Sequence, residues 1–168
     1  DYRYCWLRDA YFAVGALNRL GATRTMEGFI RFVLDAVLTV ERRGTIGPLF
    51  PVSAPSDLIE ISASALAGYR GMGPVRVGNQ AYEHFQHDTY GNLILGAAPA
   101  FFDNRLFMTP GAADFSRLEI LGDRAFHLHD KPDAGLWELR SRARIHTSSS
   151  VLCWAACDRL AKIAAHLR

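Results

Sequence analysis

Apolar residues recur along most of this chain at helical spacing. Between Arg8 and Leu20 they fall on nearly every side: Tyr11, Phe12, Ala13, Val14, Ala16 and Leu17. A helix apolar all round is expected to be packed all round, and Gly21 supplies its stop. The next segment, about Arg24 to Val40, is amphipathic. Met26, Phe29, Ile30, Val33 and Val37 share one face, and Arg24, Glu27, Arg31 and Asp35 the other. Residues 41–76 lose the period, broken by Pro48, Pro51, Pro55, Gly68, Gly71, Gly73 and Pro74. A short strand or hairpin is expected near 46–61, and so long an irregular stretch is uncommon unless it has a function. The helical pattern returns from about Asn79 to Phe102, interrupted at Gly91, Gly96 and Pro99. Asp114 reads as the N-cap of a helix running to about Leu128, with Phe115, Leu118, Leu121 and Ala125 inward. A polar loop through Lys131–Arg140 follows. Ser148 to Ser150 then read as the cap of a final helix seamed by Cys153, Ala156, Leu160, Ile163 and Leu167.

That makes about five helices of mixed type with long connections. A plain bundle predicts uniformly amphipathic helices and short loops. Concentric helical layers fit better, with an inner ring packed on both sides and an outer ring with one wet face. Five helices make only part of such a ring.

Composition narrows the class. With 168 residues, 49% apolar and 21% charged, the chain is neither disordered nor fibrous. It has the length of a single domain. A net charge of +2 gives no electrostatic reason for a nucleic-acid partner or an anionic membrane. Lys131 and Lys162 are the only lysines among 19 basic residues. The arginine excess reflects either coding bias or bidentate pairing with carboxylates and sugars. Cys5 is alone, and Cys153 and Cys157 share a helix, so no disulfide framework is expected. No secretory signal and no membrane-length apolar run appears, which predicts a cytoplasmic protein. The chain starts without Met inside an aromatic cluster, and the expectation is an internal piece of a longer domain.

Several residues could carry chemistry. Glu138 follows Trp137 in a loop with Pro132, Asp133 and Gly135. A carboxyl against an indole is partly desolvated, which raises its pKa and suits a general acid. The alternative is a surface Glu paired with Arg140 or Arg142. Tyr2, Tyr4 and Trp6 precede the adjacent Arg8 and Asp9, a donor fork beside an acceptor that can grip two sugar hydroxyls. The alternative is a charge pair at a helix N-terminus. The glycine-rich run Gly68 to Asn79 matches neither phosphate-loop pattern. It is expected to bring Tyr69, Arg70 and Asn79 to a pocket rim. His84, His87, Asp88, His127 and His129 lack metal-ligand spacing, and no nucleophile elbow occurs. Neither a metal nor a cofactor is expected.

Five segments, in order, resemble glycoside hydrolase family 15, the glucoamylase family. Asp1-Tyr-Arg-Tyr-Cys-Trp-Leu-Arg-Asp resembles "DYRYxWxRD", and Gly68 to Asn79 resembles "GYxGxxPVRxGN". Asp88-Thr-Tyr-Gly resembles "DxYG", and Pro132 to Arg140 resembles "PDxGxWExR". Ser148 to Arg159 resembles the helix that follows. The resemblance implies an all-α fold, an (α/α)6 toroid of which about five of twelve helices are present. It implies an inverting, exo-acting, cofactor-free hydrolase of the glucoamylase type that releases β-glucose from an α-glucan. Trehalase or dextran-acting relatives, cleaving an α-glucoside disaccharide or another linkage, are the alternative within the family. A non-catalytic sugar-binding or scaffold domain is the alternative class. The general acid falls on Glu138 and glucose contacts on Arg8 and Asp9, with Trp6 and Trp137 as platforms. The match reaches Tyr69, Arg70, Arg76 and Asn79 less directly. Leu139 stands where fungal members carry a second acid, so Trp137-Glu-Leu-Arg resembles the bacterial and archaeal members better. The residues around Phe50 to Ile61 depart from the commoner form. The family's general base lies beyond this helix, so the implied partner is the rest of the same domain.

Overall fold

Five α-helices carry the structure: α1 (Leu7–Arg19), α2 (Thr23–Arg43), α3 (Asp88–Ala97), α4 (Ala112–Leu128) and α5 (Thr147–His166). The computed structural model describes residues 4–51 and 58–168. Tyr2 and the first residues of the N-terminal motif therefore lie outside the described residues, as does part of the segment near 46–61. The architecture is all-α, mostly helical, as an arc of a helical toroid requires.

The short helix α3 is the hub. It packs against α1, α2, α4 and α5, and Tyr90, Leu93, Ile94 and Ala97 are buried along it. Small residues allow this crowding. A Cβ on Gly91 would meet Leu152 of α5, and one on Gly96 would meet the Phe29 ring of α2. The helix packed on every side is thus α3 and not α1. In α1 only Leu7, Val14 and Asn18 are buried, while Phe12 is 65% exposed and Leu20, just past its end, 84%. The amphipathic α2 is as expected, burying Met26, Phe29, Ile30, Val33, Val37 and Val40. These side chains join Leu93, Phe101, Leu118, Leu121, Ala156 and Ile163 in one core, each large aliphatic contributing roughly 1.5–3 kcal/mol by burial.

The helix expected over 79–102 is broken up. Gln80–Glu83 forms a 3-10 turn, His84 is extended, and a second 3-10 turn covers Ala98–Phe101. Local side chains explain the break. The Asn79 carboxamide oxygen accepts the Ala81 N–H at 2.9 Å, and Pro99 disrupts the run beyond α3. Helix starts also differ from expectation. Gly111 caps α4, and Asp114 sits three residues on, accepting the Gly111 N–H at 3.0 Å. His146 occupies the N-cap of α5, while the Ser149 hydroxyl donates to Asp133 and the Ser150 hydroxyl to the His129 and His146 carbonyls.

Two small ribbons close the loops. β1 (Tyr4–Trp6) pairs antiparallel with β2 (Leu49–Pro51), and β3 (Ile61–Ser62) with β4 (Arg76–Val77). The strand expected near 46–61 exists, but it pairs with the N-terminal segment instead of forming a local hairpin. Trp6 lies opposite Leu49, and the Leu7 N–H donates to the Pro48 carbonyl at 3.0 Å. This fixes the start of α1, where Arg8 and Asp9 stand. Among the described residues no helix is long and apolar enough to cross a membrane.

Candidate active site

Glu138 sits in a loop held down at several points. Asp133 and Arg144 exchange backbone hydrogen bonds at 2.9 and 3.0 Å, and the Ala134 N–H donates to the Phe85 carbonyl at 2.9 Å. Gly135 follows with φ +65°, its Cα face against the His146 ring, where a Cβ would lie 2.6 Å from ring atoms. Only glycine fits both demands. The Gly135 carbonyl accepts the Glu138 N–H at 3.1 Å. Glu138 itself has φ +54°. Left-handed backbone is uncommon outside glycine, and such strained positions concentrate where function needs them. Arg70 is the other non-glycine residue with positive φ among the described residues.

The Glu138 side chain is 26% exposed and faces Arg8, with Arg8 Nη1 3.9 Å from Glu138 Oε1. Arg8 Nη2 lies 3.4 Å from Asp9 Oδ2, and the guanidinium carbon stands 5.8 Å from the Trp6 ring centroid. One guanidinium is therefore shared by two carboxylates and an indole. Tyr4, Cys5, Trp6, Arg8, Asp9 and Glu138 line a hollow of about 470 Å³, in the range of small-molecule sites. It offers donors and acceptors around an aromatic surface, the mixture a pyranose presents in complement.

Four expected positions fall elsewhere. Trp137 is 83% exposed and does not line the hollow. Tyr69 is exposed, with the Arg70 guanidinium 5.3 Å from its ring centroid, and neither lines the hollow. Asn79 caps a turn. Arg140 does not pair with Glu138. It binds Glu60 through two nitrogens, at 2.7 and 2.9 Å, and also the Gln80 side-chain oxygen.

Glu60 gathers the irregular segment to the Glu138 loop. Besides Arg140, it holds Arg76 at 3.2 Å and accepts the Gln80 N–H at 3.3 Å. The Arg140 hydrogen bonds lead in pulling its carboxyl down to about 2. Sequence reasoning missed Glu60, since nothing local marks a residue whose partner lies 80 positions away. A second unforeseen group sits beneath the loop. Asp133, 1% exposed, accepts from the His87 N–H, the Ser149 hydroxyl and the Gly135 N–H. Burial first, and the Asp133 charge second, push the neighbouring Asp88 carboxyl up. Cys153 is buried here, its thiol 3.4 Å from the His87 carbonyl and pushed up to about 12 by burial above all. No three or more His, Cys, Asp or Glu side chains among the described residues converge as a metal set.

Comparison with known proteins agrees with the motif order. The profile described as Glycosyl hydrolases family 15 matches residues 1–168. A trehalase of Mycobacterium tuberculosis is 34% identical over 165 residues, which is 98% of this chain and 24% of that protein. A Mycolicibacterium smegmatis trehalase is 33% identical, with 98% and 24% covered. One from Thermoplasma acidophilum is 29% identical, with 94% and 26% covered. The chain thus spans about a quarter of the length of these curated relatives. No solved structure matches.

Proposed function

The chain belongs to glycosyl hydrolase family 15, and from this premise we propose that it carries the acid side of an inverting α-glucosidase acting on trehalose. The observation that carries the reading is the hollow in which Glu138, on left-handed backbone, faces Arg8 and Asp9. In this mechanism Arg8 and Asp9 hold hydroxyls of the first glucose, and the Trp6 ring meets the apolar sugar face. Glu138 protonates the glycosidic oxygen as the bond to C1 breaks. A water, deprotonated by a second carboxylate, attacks C1 from the opposite side, so the glycon leaves as the β-anomer. An inverting pair of carboxyls stands about 6.5–9.5 Å apart to admit that water. We assign the base to the part of the domain outside these 168 residues, in keeping with the quarter-length coverage of the relatives.

The glucoamylase-type reading, with an α-glucan as substrate, gives way to the disaccharide because the relatives are named trehalases. Trehalose has a distinctive outcome under this chemistry. Inversion at one anomeric carbon makes β-glucose, while the leaving glucose keeps its α-configuration, so early product contains both anomers equally. The test is Glu138→Gln in the full-length protein. Turnover on trehalose should fall on the order of a hundred- to ten-thousand-fold. α-Glucosyl fluoride, whose leaving group needs no protonation, should suffer far less. An unchanged rate on trehalose removes Glu138 from the mechanism, and hydrolysis of maltose or starch but not trehalose overturns the substrate.

A further inference from the structure

Besides its backbone ties, the Glu138 loop is anchored by the side chain of one buried carboxylate, Asp133, and the bonds to it form a continuous path to the acid. Asp133 Oδ2 accepts the His87 N–H at 2.8 Å and the Ser149 hydroxyl at 2.7 Å, while Oδ1 accepts the Gly135 N–H at 3.1 Å. The Gly135 carbonyl accepts the Glu138 N–H at 3.1 Å. The donors come from three places: the residue before α3, the first turn of α5, and the loop itself. The group is 1% exposed, so water does not replace a lost bond.

We propose that Asp133 is the positioning residue of the general acid, locking the Gly135 peptide and through it the left-handed backbone from which Glu138 reaches the hollow. The proposal rests on the acid role given to Glu138 above. The chemistry of the cluster selects a carboxylate. Three donors converge on two oxygens, and a carboxylate accepts all three and donates nothing. A carboxamide keeping its oxygen on His87 and Ser149 turns its own N–H bonds against the Gly135 N–H. That peptide then loses its anchor, and the carboxyl of Glu138 drifts from the glycosidic oxygen. A displacement of about 1 Å at a reacting group is worth on the order of a hundredfold in rate. Arg8 and Asp9 stand on α1, outside the bonds to Asp133, and Arg8 keeps Asp9 as its partner, so substrate affinity should change little. The serine run in the first turn of α5 thereby acquires a purpose beyond the helix end: Ser149 is the tie between α5 and the acid loop.

The experiment uses Asp133→Asn, Ser149→Ala and Glu138→Gln in the full-length protein, with kcat and KM measured on trehalose and α-glucosyl fluoride. Asp133→Asn should lose about a hundredfold in kcat on trehalose, with KM little changed and the fluoride rate nearly retained. Ser149→Ala should show a smaller loss with the same split between substrates. Asp133→Asn placed on Glu138→Gln should add nothing further, as expected of residues acting through one step. Equal losses on both substrates in Asp133→Asn or Ser149→Ala, or no loss in either, overturn the positioning role. If Asp133→Asn does not fold, the Ser149→Ala split decides. Should Glu138→Gln itself lack the split, the acid assignment falls and this inference with it. A split in Glu138→Gln alone refutes only the inference.

Discussion

At the scale of single residues, Arg8 is the element on which the hollow turns. Its guanidinium is 3.4 Å from Asp9 and 3.9 Å from Glu138, and in the proposed mechanism a sugar hydroxyl competes for the same fork. Asp9→Ala removes one acceptor and frees Arg8 to move toward Glu138. A hydrogen bond to a charged group is worth roughly 1.5–3 kcal/mol, so kcat/KM should fall about ten- to a hundredfold on every glucoside hydrolysed, whatever its linkage. A loss confined to one leaving group would place Asp9 beyond the first glucose. Glu60 has a different signature. Its carboxyl is lowered from 4.5 to about 2 by Arg140 above all, so its contribution to stability is present above the ordinary carboxylate range and vanishes as pH falls toward 2. Glu60→Gln should therefore lower Tm near neutral pH, and the gap from the parent should close as pH drops from about 4.5 to 2. Thermal melts across that range check it, and a gap constant with pH would show that packing, not charge, is at stake.

At the scale of elements, the contact between α3 and α5 is close enough to be probed by one methyl group. A Cβ on Gly91 would stand 2.7 and 2.8 Å from the Leu152 carbonyl carbon and Cβ, atoms that move only with the helix. Overpacking of this kind costs about 1–3 kcal/mol. At Gly122 the obstacle is only the tip of the Leu160 side chain, and alanine gains about 1 kcal/mol in helix propensity. Gly91→Ala should lower Tm clearly while Gly122→Ala stays near the parent, and reversal of that order in thermal melts would refute the close α3–α5 seating. The same helices show what the sequence discloses. The faces of α2 are plain because one side meets water and the 3.6-residue period survives. α1 and α3 are both apolar nearly all round, and periodicity does not tell which has neighbours on every side. That depends on the glycines of α3 and on the long-range packing of α5. The hollow is half legible for a related reason. Trp6, Arg8 and Asp9 are adjacent in sequence, and Glu138 stands in a motif. Asp133 reads as an ordinary turn residue and Glu60 as a surface charge until partners from distant segments converge on them.

At the scale of the molecule, large apolar side chains stand exposed among the described residues. Phe12, Leu17 and Leu20 on and beside α1, Val151 and Trp154 on α5, and Phe107 and Met108 before α4 are all exposed. Surface of this amount on a single small unit promotes association. In a closed ring of helices such faces meet further helices. The proposed chemistry points the same way. Of the described acids lining the hollow, Glu138 is the proposed proton donor and Asp9 the proposed hydroxyl acceptor, which leaves no other described carboxylate there to activate water. Both considerations, with the quarter-length coverage of the trehalase relatives, lead to one expectation for the 168 residues expressed alone. They should release no glucose from trehalose, maltose or starch, and they should self-associate. Sedimentation velocity and a coupled glucose assay measure the two properties on one preparation. A monodisperse monomer with measurable turnover would mean that Asp9 or another carboxylate of this chain serves as the base, and that the exposed faces are surface, not seams. Aggregation with no activity, relieved when the remaining part of the protein is co-expressed, is the outcome expected if the acid and the base lie on complementary parts of one ring.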